Sequence, residues 1–203
     1  MLIGISLGPG DPELMTLKAV AALKRCKKVF VSGEKAAELA RPYSVPEVLH
    51  FPMIKDKNEL ERNYKKNAEA VARFALSESV GFACIGDVNT FSTFNHIKRA
   101  IKQSHPEIEV MSIPGVSVVP ALAARLDIAL ESTFTVSDGS PAEWIIRMKA
   151  TRPKKQAEEL RQEGFDEFIL GTKLCTPQEN IIKGEMPEKS EYFSVLLAHR
   201  RRR

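Results

Sequence analysis

Two short stretches hold the groups that could do chemistry, Gly8-Pro9-Gly10-Asp11-Pro12-Glu13-Leu14-Met15-Thr16 and Gly86-Asp87-Val88-Asn89-Thr90-Phe91-Ser92-Thr93-Phe94. Each follows an apolar run, turns on glycine, and places a carboxylate, Asp11 or Asp87, directly after that glycine. Such a turn presents backbone amides, and the neighbouring carboxylate accepts hydrogen bonds or a proton, a combination suited to a small polar ligand. Neither stretch is a phosphate cradle. Gly4, Gly8 and Gly10 do not form G-x-G-x-x-G, no Gly-Lys-Ser/Thr follows, and Pro9 removes an amide that a phosphate would need. Asp11 also has a local reading, as the N-cap of a helix with Pro12 at its first position. Cys26, Cys84 and Cys175 are odd in number, widely spaced and without a C-x-x-C pair, so free thiols are expected and no metal centre.

The elements that must position these residues alternate between strand and helix. Met1 to Leu7 reads as a strand, followed by a helix over Glu13 to Lys24 with Leu14, Leu17, Ala21 and Lys24 on one face. Strands are expected at Lys28 to Val31, Glu47 to Phe51, Val80 to Ile85 and Glu109 to Ile113, and helices at Glu34 to Ala40, at Asn58 to Leu76 and after Ser92. This is the pattern of a parallel sheet, whose carboxyl edge collects strand-end turns and helix N-termini. At Pro114-Gly115 the character changes, and a small-residue helix, Val118 to Leu126, follows. Beyond it, Phe134 to Ser137, Trp144 to Lys149, Glu167 to Gly171 and Tyr192 to Ala198 read as strands that alternate, with a helix at Pro153 to Gln162. The expected fold class is therefore α/β. An N-terminal parallel-sheet domain (1–113) precedes a smaller C-terminal α+β domain (114–203) with an antiparallel or mixed sheet.

Composition narrows the partners. The 203 residues are 43% hydrophobic, enough for ordinary cores, and no charged and apolar leader precedes the first strand, so a soluble cytoplasmic protein with no membrane association is expected. The net charge of +4 equals the contribution of the terminal Arg200 to Arg203, and aromatics are only 7%. A basic face interleaved with aromatics, the footprint of a nucleic-acid binder, is absent.

Taken in order, Gly8-Pro9-Gly10-Asp11-Pro12-Glu13-Leu14 with Thr16-Leu17-Lys18-Ala19, then Gly86-Asp87, then Ile113-Pro114-Gly115-Val116-Ser117 resemble the tetrapyrrole methylase superfamily. Phe51-Pro52-Met53 with Lys55-Asp56, Ser92-Thr93-Phe94, and Met186-Pro187-Glu188-Lys189-Ser190 with Tyr192-Phe193-Ser194 look most like its precorrin-2 C20-methyltransferase subgroup. The resemblance implies a two-domain homodimer with S-adenosylmethionine, leaving as S-adenosylhomocysteine, held in a cleft between the domains. By the same resemblance, Pro9 borders that cleft, while Ile85, Gly86, Asp87 and Thr90 hold the cofactor's amino-acid end and ribose. Ser117 and Val118 contact the cofactor, and Met148 lines an apolar adenine pocket. The substrate would be a tetrapyrrole, methylated at C20 of precorrin-2 or cobalt-precorrin-2. Other readings are another tetrapyrrole carbon or acceptor, or a non-catalytic cofactor or tetrapyrrole binder.

Three departures stand out: Val88 where the family usually has proline, Phe91 where tyrosine is common, and a compressed Phe134 to Met148 segment. Asp11 is the candidate to accept the departing proton or to orient a pyrrole nitrogen. Lys55, Lys57 and Arg152 are candidate contacts for the substrate's peripheral carboxylates. Replacing Asp87 by alanine is expected to weaken cofactor binding by about 1.5 to 3 kcal/mol without unfolding the chain.

Overall fold

A computed structural model of the protein describes residues 1–52 and 56–200. Met53 and Lys55, and the terminal Arg201 to Arg203, lie outside the described residues. The chain separates into two compact units, Met1–Phe134 and Thr135–Arg203.

In the first unit, β1 (Leu2–Ser6), β2 (Lys28–Val31), β3 (Pro46–Val48), β4 (Val80–Cys84) and β5 (Val110–Ile113) form one sheet in the order β3-β2-β4-β1-β5. Every pairing in it is parallel. Its helices are α1 (Leu17–Arg25), α2 (Glu34–Ala40), α3 (Lys57–Ala75), α4 (Thr93–Ser104) and α5 (Val118–Arg125). The central strands are mostly apolar because both faces are covered. One face packs Ile3, Ile5, Val29 and Val31 against alanines of α1 and α2; the other packs Leu2, Phe30, Val80 and Phe82 against α3 and α4. Gly4 makes that second layer possible, since a Cβ there would sit 2.4 Å from the buried Phe94 ring.

The first helix departs from expectation. Pro12–Leu14 is a single 3-10 turn, and α1 starts only after Thr16, whose hydroxyl accepts from Ala19 N at 3.1 Å. The buried positions are accordingly Ala19, Ala22 and Leu23, while Leu17 is 91% exposed. Leu14, in the separate 3-10 turn, is 39% exposed, so the expected stripe of Leu14, Leu17, Ala21 and Lys24 is not the buried one. β3 also stops at Val48, with Leu49 N still donating to Val31 O.

The second unit contains β6 (Trp144–Met148), α6 (Pro153–Gln162), β7 (Glu167–Thr172), β8 (Asn180–Lys183) and β9 (Ser194–His199), with sheet order β6-β9-β7-β8. All of its pairings are antiparallel. The strand expected at Phe134 to Ser137 is not formed: Phe134 and Val136 are exposed, and the chain then turns as Asp138 Oδ1 accepts from Ser140 N. β8, which the sequence reading passed over, pairs with β7 although Ile181 and Ile182 are its only apolar residues. The division between units falls after Phe134, so α5 clusters with the parallel sheet whose last strand ends at Ile113.

Candidate functional site

Parallel pairing brings the carboxyl ends of β1, β4 and β5 to one edge. There Gly8 and Gly86 form an isolated bridge in which Gly86 N donates to Gly8 O at 2.6 Å, next to Leu7 N donating to Cys84 O at 2.8 Å. Both glycines have positive φ, 74° and 77°, a conformation side chains disfavour. Gly8 has a second constraint, because a Cβ would lie 2.9 Å from Leu14 O. Above Gly86 and Gly10, by contrast, a Cβ would meet nothing within 4 Å, so these turns face open space.

A polar network ties the third motif to the other two. Ser6, fully buried at the end of β1, donates from Oγ to Ile113 O at 2.7 Å and accepts from Val88 N at 3.0 Å. Asp87 Oδ2 accepts from Gly115 N at 2.9 Å and lies 3.4 Å from Ser6 Oγ. Asp87 Oδ1 accepts from Asn89 N at 2.9 Å and faces the Thr90 hydroxyl at 3.4 Å. Gly115 packs so tightly on this centre that a Cβ would fall 2.4 Å from Ser6 Cβ. Sequence reasoning missed Ser6. Its one signal was a polar residue closing an otherwise apolar strand.

The structure brings most of the expected site residues to this edge. Pro9 and Gly86 are half-buried in their turns, and Ile85 and Thr90 are exposed beside them. Ser117 caps α5, accepting from Val119 N at 3.4 Å, and Val118 is exposed on its first turn. Asp11 is exposed and caps the 3-10 turn, with Oδ1 accepting from Glu13 N at 2.9 Å. Met148 belongs to the second unit, where it ends β6 with its side chain exposed.

The proposed carboxylate-binding cations are not at the edge in the same way. Lys57 lines a groove of about 320 Å³ between α3 and α4, with Tyr64, His96 and Arg99, on a helical face of the unit. Arg152 precedes α6 in the second unit, and Lys55 is outside the described residues. The edge has its own lysine instead. Between the ends of β2 and β4 lies a cleft of about 360 Å³ lined by Ser32, Lys35, Cys84, Ile85, Phe91 and Ser92 among others. Here α2 follows β2 onto one face and α4 follows β4 onto the other, which opens a crevice at the strand ends. Val31-Ser32-Gly33-Glu34 repeats the strand, turn and helix grammar of the other two motifs, and that was the available signal for Lys35. Burial raises the pKa of the Cys84 thiol, an effect partly offset by hydrogen bonds with Ser92 and Ser32, which disfavours the thiolate.

The family model described as Tetrapyrrole (Corrin/Porphyrin) Methylases matches residues 1–189. A probable cobalt-precorrin-2 C(20)-methyltransferase of Methanocaldococcus jannaschii is 29% identical over 227 aligned positions, covering 98% of this chain and 96% of that protein. The cobalt-precorrin-2 C(20)-methyltransferase of Salmonella typhimurium is 32% identical over 141 positions, 64% of this chain and 58% of that one. Among solved structures, the methyltransferase CobJ (TM-score 0.51, 20% identity, 98% of this chain and 93% of that one) shares the fold. So does the cobalt precorrin-4 methyltransferase CbiF (TM-score 0.51, 18% identity, 98% and 94%).

Proposed function

The chain belongs to the tetrapyrrole (corrin/porphyrin) methylase family, and we propose that it transfers a methyl group from S-adenosylmethionine to C20 of precorrin-2 or cobalt-precorrin-2. The observation that carries this reading is the end-to-end similarity to a relative named for that reaction. The donor set at the strand edge fits the cofactor. Ile85 and Gly86 offer backbone groups and an apolar side chain, Thr90 offers a hydroxyl, and open space above Gly86 admits a ligand. An amino-acid head and a ribose need such groups and no phosphate cradle. We assign them, with Pro9, Asp87, Ser117 and Val118, to holding it.

When bound, the cofactor supplies a methyl group activated on a sulfonium. The acceptor carbon of an electron-rich macrocycle is already nucleophilic, so the protein's own work is to hold it in line, keep water out and take up one proton. Asp11 is the residue proposed for that proton. Lys35, at the mouth of the strand-end cleft, is a better-placed partner for a substrate carboxylate than Lys57. We further propose a cytoplasmic homodimer. The free cysteines agree with a reducing compartment, and an open apolar sheet face in the second unit supplies a surface for association.

One observation favours a second reading, in which another tetrapyrrole carbon is methylated. The alignment of 227 positions exceeds the 203 residues of this chain, so the Methanocaldococcus relative has residues that this one lacks. Residues 127–143 contain no helix or strand. Incubation with precorrin-2 or its cobalt form and methyl-labelled S-adenosylmethionine, followed by NMR, tests both. Label at C20 is expected; label elsewhere selects the second reading, and cofactor binding without methylation of any tetrapyrrole makes the chain a binder.

A further inference from the structure

Beyond the ends of β4 and β5, the two turns that bear Asp87 and Ser117 lose the ladder that aligned their strands. Pro114 has no N–H to donate, so backbone pairing cannot continue there. The turn after β4 is held on one side by the Gly86 to Gly8 bond. Two side chains join it to the turn after β5: Asp87 of the turn itself, and Ser6 from β1. The Ser6 hydroxyl spends its proton on Ile113 O, the last residue of β5, and a lone pair on Val88 N in the other turn. One γ atom that both donates and accepts is what this junction requires. The Asp87 bond to Gly115 N closes the same loop of contacts. Val88 is fully buried, so its N–H has no recourse to water if the hydroxyl is removed. Gly115 leaves no room for a larger group, because even its own Cβ would collide with that of Ser6.

We propose that Ser6 is a positioning residue for the ligand-binding edge: its single hydroxyl sets the spacing between the turn carrying Asp87 and the turn leading to Ser117. Being fully buried, it touches no ligand. The inference rests on the methyl-transfer reading above, since the two turns hold the proposed cofactor residues. Loss of the hydroxyl lets the turns drift apart, which weakens cofactor binding while leaving the chemistry, once the cofactor is bound, nearly untouched.

The test compares wild type, Ser6→Ala and a control, Val71→Ala, which destabilises the α3 layer away from the edge. S-adenosylhomocysteine affinity is read by calorimetry and amide exchange by NMR, with kcat and KM for S-adenosylmethionine measured alongside. Ser6→Ala is expected to raise Kd and KM about 10-fold, as loss of one or two buried hydrogen bonds would, with kcat within about 2-fold of wild type. Exchange should quicken at both Val88 and Gly115 while Gly4 and Phe82, in the strands, stay protected. Val71→Ala should lower the Tm and leave Kd unchanged. Equal affinity of Ser6→Ala and wild type, quickened exchange at Val88 alone, or an equal loss of affinity in Val71→Ala overturns the proposal. A wild-type protein that binds no S-adenosylhomocysteine defeats the methyl-transfer reading itself. Should Ser6→Ala fail to fold, Ser6→Gly, which removes the hydroxyl and adds no bulk against Gly115, carries the same expected pattern.

Discussion

In the parallel sheet, β1 and β4 are buried along their whole length, whereas β6 of the antiparallel sheet alternates exposed and half-buried residues. The contrast is one of coverage. Helices lie on both faces of the first sheet, and the three glycine motifs meet at the carboxyl ends of its central strands. The second sheet is covered on one face, where α6 packs Ala157 and Leu160 against Phe168, Leu170 and Leu196. Its other face carries Trp144, Ile146 and Met148 of β6 opposite His199, Leu197 and Val195 of β9, with the Trp144 ring stacked on that of His199 at 3.7 Å. A doubly covered sheet confines ligand chemistry to an edge; a singly covered one leaves a whole face for association.

The contrast breaks most visibly in the core. Phe82→Ala removes a fully buried ring between two layers and is expected to cost about 3 to 5 kcal/mol, read as a fall in the urea midpoint. At the edge, Asp87→Ala should weaken cofactor binding by about 1.5 to 3 kcal/mol in calorimetry. Because the carboxylate also holds Gly115 N and Asn89 N, a smaller loss of thermal stability should accompany it; unchanged affinity removes Asp87 from the site. On the open face, Ile146→Asp should change unfolding free energy by only about 0.5 kcal/mol, since the residue is 61% exposed, yet convert a dimer to monomer in sedimentation. A wild type that sediments as a monomer at micromolar concentration would leave that face without its proposed role.

The smallest effect concerns two histidines of the first unit. Burial, with Arg99 nearby, holds His96 below the ordinary imidazole value of 6.5, while hydrogen bonds to Glu69 and Glu107 raise His105 above it. Stability linked to His96 is therefore present above pH 6.5 and lost as pH falls through its folded value. Stability linked to His105 is present below pH 6.5 and lost as pH rises through its own. An NMR titration in which His96 does not titrate below His105 would contradict the packing of α3 and α4 described above.

Much of the first unit was legible because its signals are local. β2 and α2 were read to the residue, a helix was read after Ser92, which caps α4, and a strand was read over the apolar run of β4. Glycine turns after such strands located the edge without any knowledge of sheet order. α1 was misread in phase because Leu14 lies in a separate 3-10 turn and sets no face of the helix; within α1, Ala19, Ala22 and Leu23 are buried while Leu17 and Ala21 are exposed. β8 was invisible for a related reason: a short edge strand owes its existence to β7, and two isoleucines carry no period.

By itself, then, the sequence determined the kinds of element, the positions of the glycine motifs and the family to which they belong, since these depend on residues near one another along the chain. Only the tertiary structure decided that Ser6 joins the Gly86 and Pro114 turns, that Asp87 bonds Gly115, and that Lys35 stands at the strand-end cleft while Lys57 stands on a helical face. Ser6 and Ile113 are far apart in sequence and become neighbours because β1 and β5 pair in one register. A hydrogen bond between such residues is a property of that register and leaves no trace in the chain's local pattern.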